Sequence, residues 1–559
     1  MDLKKTTIRG LFDGNTQFTI PVYQRAYSWQ KENWKVFLDD LLQQVEMENE
    51  YSFGNILLET IRKEQLYEII DGQQRLTTIV IFLRAIYNVL KEKDPTSEQL
   101  ENIQYYMKDR NIKLRPVEHD RSCFDNVIIY DKSYSPTSIS QERIVEAKEF
   151  FIGELKVRDK EFILKLLDLV LESGINRIEL KGKKEAALMF ELQNNRGRDL
   201  TNMEKLKSFF MYQMYVCSSA EETDQNVETI SNYFNDIYRT IYDIKSLDED
   251  SILIYHCQAF LNISYNYRKL DDIKNEYNSS HDKKGWIIDF CNNLVQTFKD
   301  IKTMESETCP FYKKLLTLSG DKLSAFVYPF IIKGYKFFRD DKSKLDKLFH
   351  ILEVLTFRYE LIPSRAYFIS RINDSLKNFN GDLDALKNSL HNKLNEEWYW
   401  SDNRMTEVLN GWMYQNSVLH YLLWEYEATL QPEGYSIINY TIADEQIEHI
   451  SPQTAPEEAI AAGYDVDAQN NYTDEFKEKY LNCLGNLMLI AGCQNAAIGN
   501  RPFATKLSSY DDPNFLKQMQ EIKTFVDQNR IEWKKENIEK RLQKILNFAI
   551  PRWSFANIK

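Results

Sequence analysis

The chain has 559 residues, of which 43% are hydrophobic and 13% aromatic, enough apolar material for large cores and too much for a disordered chain. Seven cysteines with no CxxC pair exclude a disulfide framework and a zinc ribbon, and fit a reducing compartment. A net charge of −13 argues against non-specific electrostatic adhesion to nucleic acid, which needs an excess of Lys and Arg.

The N-terminus MDLKKTTIRGLF has no apolar stretch of the secretion-signal kind, and no apolar run has the length of a membrane span. A cytoplasmic protein without membrane contact is expected. Its fold class is multidomain α+β, predominantly helical, with domains over 1–215, 216–405 and 406–559. Residues 16–29, TQFTIPVYQRAYSW, begin like a strand and continue as a polar and aromatic cluster. Trp34, Phe37, Leu38, Leu41 and Leu42 recur at helical spacing. Phe53–Glu59 and Leu66–Ile70 read as paired strands. The second runs into Asp71-Gly72-Gln73-Gln74-Arg75, and Ile79, Val80, Phe82, Leu83, Ile86, Tyr87 and Leu90 form one helical face.

A strand, a glycine turn and a helix start offer free amides and a positive helix end to phosphate, with Arg75 as a forked cation and Gln73 and Gln74 as donors. Read alone, the same residues also make a plain turn and helix cap. Walker A and G-x-G sequences are absent from the chain, so neither common phosphate loop is available. Ile175, Ile178 and Leu180 suggest another strand. Asn195-Arg196-Gly197-Arg198 reads as a tight turn before a helix starting near Thr201; it would close over a nucleotide or simply cap that helix. His119, beside Asp120 and Arg121, reads as a surface-loop residue.

From about Glu204 to Glu427 long helical patterns dominate, with His256, His350, His391 and His420 expected as packed or surface residues. The richest chemistry follows. Asn439–Ile442 and Gln446–Ile450 have strand composition, and Pro452 ends the second. Glu448 and His449 are strand neighbours, so they serve one site only if the chain bends at Ser451-Pro452. Leu487–Ile490, flanked by Asn486 and Asn495, looks like a strand turning through Gly492 into a short helix. A carboxylate, an imidazole and amide oxygens suit a hard ion such as Mg²⁺, with Mn²⁺ accepting the same donors, and the imidazole can deprotonate water. The tail from Arg530 to Lys559 is basic and carries Trp533 and Trp553; it is either a DNA-facing helix or a solvated helix with its tryptophans in the core.

E-H-x-x-P-Q, then G-N-L, an Asn nine positions after the first, and Asn500-x-x-Phe503-x-x-Lys506 resemble the HNH or His-Me finger nucleases. The resemblance implies His449 as general base, Glu448 and Asn495 as metal ligands and Asn486 as the residue orienting the imidazole. Upstream, IPVYQRAYSW, FGNILLE, DGQQRLTT and FELQNNRGRDLTNMEKLKSFFM resemble the N-terminal domain of GmrSD-type, modification-dependent Type IV restriction enzymes. That implies a ParB/sulfiredoxin-like domain that binds and hydrolyses a nucleoside triphosphate (GTP, ATP or CTP). The implied nucleotide residues are Gln24, Arg25, Tyr27 and Trp29, then Asp71, Gly72, Gln73, Gln74 and Arg75, then Asn195, Gly197 and Leu200. The implied function is a nucleotide-regulated, metal-dependent endonuclease or nickase of anti-phage defence. Its substrate would be double-stranded, modified phage DNA, marked on cytosine or by backbone phosphorothioate, with homo-oligomer formation left open. The other readings are a nucleotide-switched DNA-binding regulator with an inactive nuclease finger, and a toxin-like nuclease.

Overall fold

The protein is described here from a computed structural model, which covers the chain apart from residues 1, 23, 48–49, 63–64, 181–200, 220, 263–269, 321, 397–398, 433–441, 443, 458, 461–462, 511–515 and 528–530. Asn195, Gly197, Leu200 and the expected strand over Asn439–Thr441 lie outside the described residues. The described chain is mostly helical with a small amount of sheet. It divides into two compact units, one of residues 1–254 and 267–305 and the other of residues 255–266 and 306–559. The helical middle read from the sequence as one domain is therefore shared between them.

In the first unit, strands β1 (Asp2–Thr7), β2 (Gln17–Thr19), β3 (Ser52–Arg62), β4 (Leu66–Asp71), β5 (Leu114–Arg115) and β6 (Gly174–Leu180) form one sheet in the order β1-β6-β3-β4-β2-β5. The expected pairing of β3 with β4 is antiparallel, and β6 joins β3 in parallel. Helices Lys31–Met47, Gln73–Lys93, Ile139–Lys156 and Lys160–Glu172 share one core with this sheet. Phe37 stands near its centre, with Phe53, Phe82 and Phe151 at ring distances of 5.9, 5.5 and 5.8 Å. The helix Gln73–Lys93 is buried along most of its length, which explains its apolar sequence.

The step from β4 into that helix is Gly72, whose φ of +93° is a left-handed conformation that side chains resist. A Cβ there would meet Ile56 Cγ1 at 3.3 Å. Further along, Thr201 caps helix Asn202–Cys217 in a capping box with Glu204, as the sequence predicts for a helix starting near it. His119 departs from expectation: it is buried, because helix Thr223–Tyr242 lies over it and Asn235 bonds its Nδ1 at 3.1 Å.

The second unit is a stack of helices that ends in a two-stranded antiparallel hairpin, β7 (Glu445–His449) with β8 (Leu487–Ala491). The short helix Gly492–Ile498 follows β8 directly, and helix Phe503–Tyr510 comes next. The last long helix, Lys535–Arg552, packs on the turn Leu484–Asn486 before β8. Gly485 permits this contact, since a Cβ there would lie 2.3 Å from the Ile538 carbonyl oxygen. Arg541 on that helix is fully buried and donates to the carbonyls of Leu484, Gly485 and Leu487. Trp533 and Trp553 are buried, so of the two readings of the basic tail the helix with its tryptophans in the core is observed. Among the described residues no helix is long and apolar enough to cross a membrane.

Gly72→Ala is expected to destabilise the first unit by about 1–2 kcal/mol through the left-handed backbone alone, read as a lower urea midpoint in an otherwise native protein.

Candidate functional site

Two constellations stand out, one in each unit. The first is built on the turn between β4 and its helix. Gln74 reaches across to the QRAYSW segment, accepting from the Ser28 amide at 2.9 Å and donating to the Ala26 carbonyl at 3.0 Å. Gln24 donates to the Ile70 carbonyl at 2.6 Å, and Tyr27 shares a hydrogen bond with Thr78 while accepting from the Trp34 indole. Two motifs about fifty residues apart in sequence are thus stitched into one wall. Arg75 turns its guanidinium onto the carbonyls of Phe53 and Asn55, which fixes its position beside Gly54.

Arg25, Trp29, Ser52, Gly54 and Arg75 line a cleft of about 520 Å³. The Gln73 amide oxygen is buried and has no hydrogen-bond partner among the described residues. Two guanidinium groups and an indole fit a phosphorylated, ring-bearing ligand. Gln24 and Tyr27 lie in the wall, so they support this cleft from behind. Asp71 stands at the strand end, 3.9 Å from Arg75.

Behind the wall lies a buried polar group that the sequence reading missed. Lys207 donates to the Gln24 carbonyl at 3.2 Å, and burial lowers its pKa to about 8. Asp120, fully buried, accepts from Ser140 at 2.6 Å and lies 3.4 Å from His119. Burial raises the Asp120 pKa, against the pull of His119, Ser140 and the Tyr27 amide. The only sequence signal for these residues is the E-K-L-K spacing of helix Asn202–Cys217, which does not identify a partner.

The second constellation is the hairpin. His449 and Glu448 close β7 and point to opposite sides, as strand geometry requires. Glu448 faces helix Phe503–Tyr510, where Lys506 Nζ and Tyr510 Oη donate to its Oε1 at 2.8 and 2.7 Å. Lys506 also donates to the His449 carbonyl at 2.8 Å, and all three side chains are nearly fully buried. Burial lowers the Lys506 pKa against the pull of Glu448, and raises that of Tyr510 well above its usual value.

The imidazole of His449 packs edge-on against Tyr414, 4.4 Å between rings, and its Nε2 meets Asn482 Oδ1 at 3.0 Å. An amide oxygen on Nε2 makes that nitrogen the N–H and leaves Nδ1 as the lone-pair nitrogen. Burial lowers the imidazole pKa to about 4, and nearby Lys506 adds to this, so the ring is neutral at neutral pH. The sequence reading gave the imidazole-orienting role to Asn486. In the structure Asn482 holds the ring, while Asn486 holds the chain beyond it: its Oδ1 accepts from the Ser451 amide at 2.8 Å and the Trp533 indole at 3.1 Å, and its Nδ2 donates to the Leu481 carbonyl. Asn482 was not singled out because an Asn in a polar turn is common.

Asn495, on the helix after β8, donates from Nδ2 to Gln446 Oε1 at 2.8 Å. Gln446 is two residues from Glu448 on the same side of β7, so Asn495 and Glu448 share one face. Asn500 bonds the Thr454 backbone, and Phe503 stacks on Trp533 at 5.3 Å, which makes these two parts of the frame. Among the described residues no group of three or more His, Cys, Asp or Glu side chains is arranged to hold a metal ion. Glu448 and Asn495 offer a cation oxygen donors alone, which do not fit a structural zinc, and the Glu448 carboxylate, 3% exposed, is already bonded by Lys506 and Tyr510, so a hard ion would have to share it with them.

An arginine-lined cleft and a buried, oriented imidazole are groups suited to work on phosphate esters. The sequence comparison gives the class: residues 8–211 match the N-terminal domain of GmrSD restriction endonucleases, and residues 401–548 match the C-terminal domain of the same enzymes. The chain belongs to the GmrSD restriction endonuclease family, which makes it a nuclease with DNA as its substrate. No curated protein sequence matches it.

Asn486→Ala orphans three buried hydrogen-bond partners and is expected to cost on the order of 3 kcal/mol or more, whereas Asn482→Ala orphans one and costs about 1–2 kcal/mol. Urea unfolding of the two variants side by side checks the order.

Proposed function

We propose that this chain is a nucleotide-regulated, metal-dependent HNH endonuclease or nickase of anti-phage defence, acting on modified or foreign DNA. The observation that carries the reading is the neutral imidazole of His449, held by Asn482 through Nε2 so that Nδ1 is turned into a base. In this reading His449 Nδ1 takes the proton of the water that attacks the phosphodiester. Asn482 keeps the tautomer and meets the charge that forms on the ring, and Tyr414 packs edge-on beside it. Lys506 fixes the strand end by gripping the His449 carbonyl.

Glu448 and Asn495, on the face of β7 opposite the His449 ring, would hold Mg²⁺ or Mn²⁺, whose chemistry is to neutralise charge on the phosphate and the leaving oxygen; serving the same phosphate as His449 would require the chain to bend at Ser451-Pro452. Lys506 Nζ lies 2.8 Å from Glu448 Oε1, so a cation there would share the carboxylate with the ammonium group.

The cleft of the first unit is assigned to a nucleoside triphosphate (GTP, ATP or CTP), with Arg25 and Arg75 on its phosphates and Trp29 against its ring. Hydrolysis there would set whether the nuclease is permitted to act. Gln24, Tyr27, Asp71, Gly72, Gln73 and Gln74 shape the cleft rather than bind by charge.

The test is cleavage of plain and heavily modified phage DNA by the purified chain with Mg²⁺, with and without each nucleoside triphosphate. Cutting that is lost in His449→Ala and depends on nucleotide is the expected result. Nucleotide turnover with every DNA left intact would instead favour a nucleotide-switched DNA-binding regulator. Arg25→Ala is expected to weaken nucleotide binding about ten- to hundredfold, the scale of one charged hydrogen bond. His449→Ala should leave that binding unchanged in titration calorimetry.

A further inference from the structure

The loop Asn410–Val418, just before helix Leu419–Leu430, carries the one tryptophan that is exposed among the described residues: Trp412, at 54% of its full surface. Its surroundings are not those of a loose loop. Met413, the next residue, is fully buried and donates its amide to the carbonyl of Asn482 at 2.8 Å. Tyr414, one further on, is the ring packed edge-on against His449. At the far end Asn416 donates to the Leu361 carbonyl at 2.9 Å and Ser417 to the Glu360 carbonyl at 3.0 Å.

The two residues that flank the imidazole, Asn482 and Tyr414, therefore also fix the backbone from which Trp412 projects. With more than half of its surface exposed, the indole gives up much of the burial that usually stabilises a tryptophan. The chain as a whole carries a charge of −13, so its hold on DNA cannot rest on bulk attraction for phosphate and needs local, non-ionic contacts. A rigidly mounted indole offers the contact that any base accepts, which is stacking on its π-face.

We propose that Trp412 is a stacking platform for a DNA base beside the bond that is cut, positioning the strand against His449. The inference rests on His449 being the cutting centre. A base resting on the indole would be partly unstacked from its neighbours, which aligns the adjoining phosphate with the imidazole and gives affinity without sequence preference.

The experiment uses the full chain with His449→Ala, so that DNA stays intact, and a duplex cut by the unsubstituted protein with 2-aminopurine placed next to the cleavage position. Binding is expected to quench the 2-aminopurine. Adding Trp412→Ala should abolish the quench and weaken binding about tenfold, while Trp412→Phe retains most of both; the thermal midpoint, unchanged for so exposed a residue, shows that folding is intact. Equal affinity and equal quenching in Trp412→Ala would overturn the stacking. Cutting by the His449→Ala protein would overturn the placement beside the scissile bond, and it is read separately from binding.

Discussion

Lys506 holds the second unit's site together. Its ammonium group lies 2.8 Å from both the Glu448 carboxylate and the His449 carbonyl, among side chains that are nearly fully buried. Burying a charge pair is costly and is tolerated only when every remaining donor and acceptor is satisfied. Here Tyr510 and the backbone of His449 supply the extra bonds. The consequence is geometric: helix Phe503–Tyr510 is locked to the end of β7, and the strand cannot slip without stranding a carboxylate in an apolar medium. The orientation of His449 follows, because its backbone is gripped on one side and its ring is held by Asn482 and Tyr414 on the other.

Around this clamp, asparagines do the work that metals or disulfides do in smaller domains. Asn486 ties the turn after β7 to the Trp533 indole, and Arg541 gathers the carbonyls of the turn before β8. The first unit uses the same device. Gln74 and Gln24 bind backbone groups across the gap between two motifs, and Lys207 and Asp120 hold the same segment from beneath. In both units the groups able to do chemistry stand on backbone that neutral amides have fixed.

Much of this was legible in the sequence, for reasons that differ by residue. The β3–β4 pairing, the helix after Gly72 and the cap at Thr201 follow from local periodicity and turn chemistry, which tertiary packing did not override. The hairpin and helix around Glu448, His449 and Asn495 were readable because strand composition, proline and glycine all mark the same boundaries. What could not be read was which side chain answers which. Asn482 and Asn486 are the same residue type four positions apart, and only the fold shows that the first meets the imidazole and the second the backbone. His119 was misread as exposed because its cover comes from Asn235, more than a hundred residues away. The buried Lys207 belongs to a helix whose charged pattern looks solvated until the first unit closes over it.

The central claim is that the His449 imidazole is the base for phosphodiester cleavage. Chemical rescue tests it most directly: DNA cutting by His449→Gly, measured with and without added imidazole in the presence of Mg²⁺ and nucleotide. The account predicts that the glycine variant is inactive and that free imidazole, entering the space left by the side chain, restores cutting in a concentration-dependent way. Undiminished cutting by His449→Gly without imidazole would contradict it.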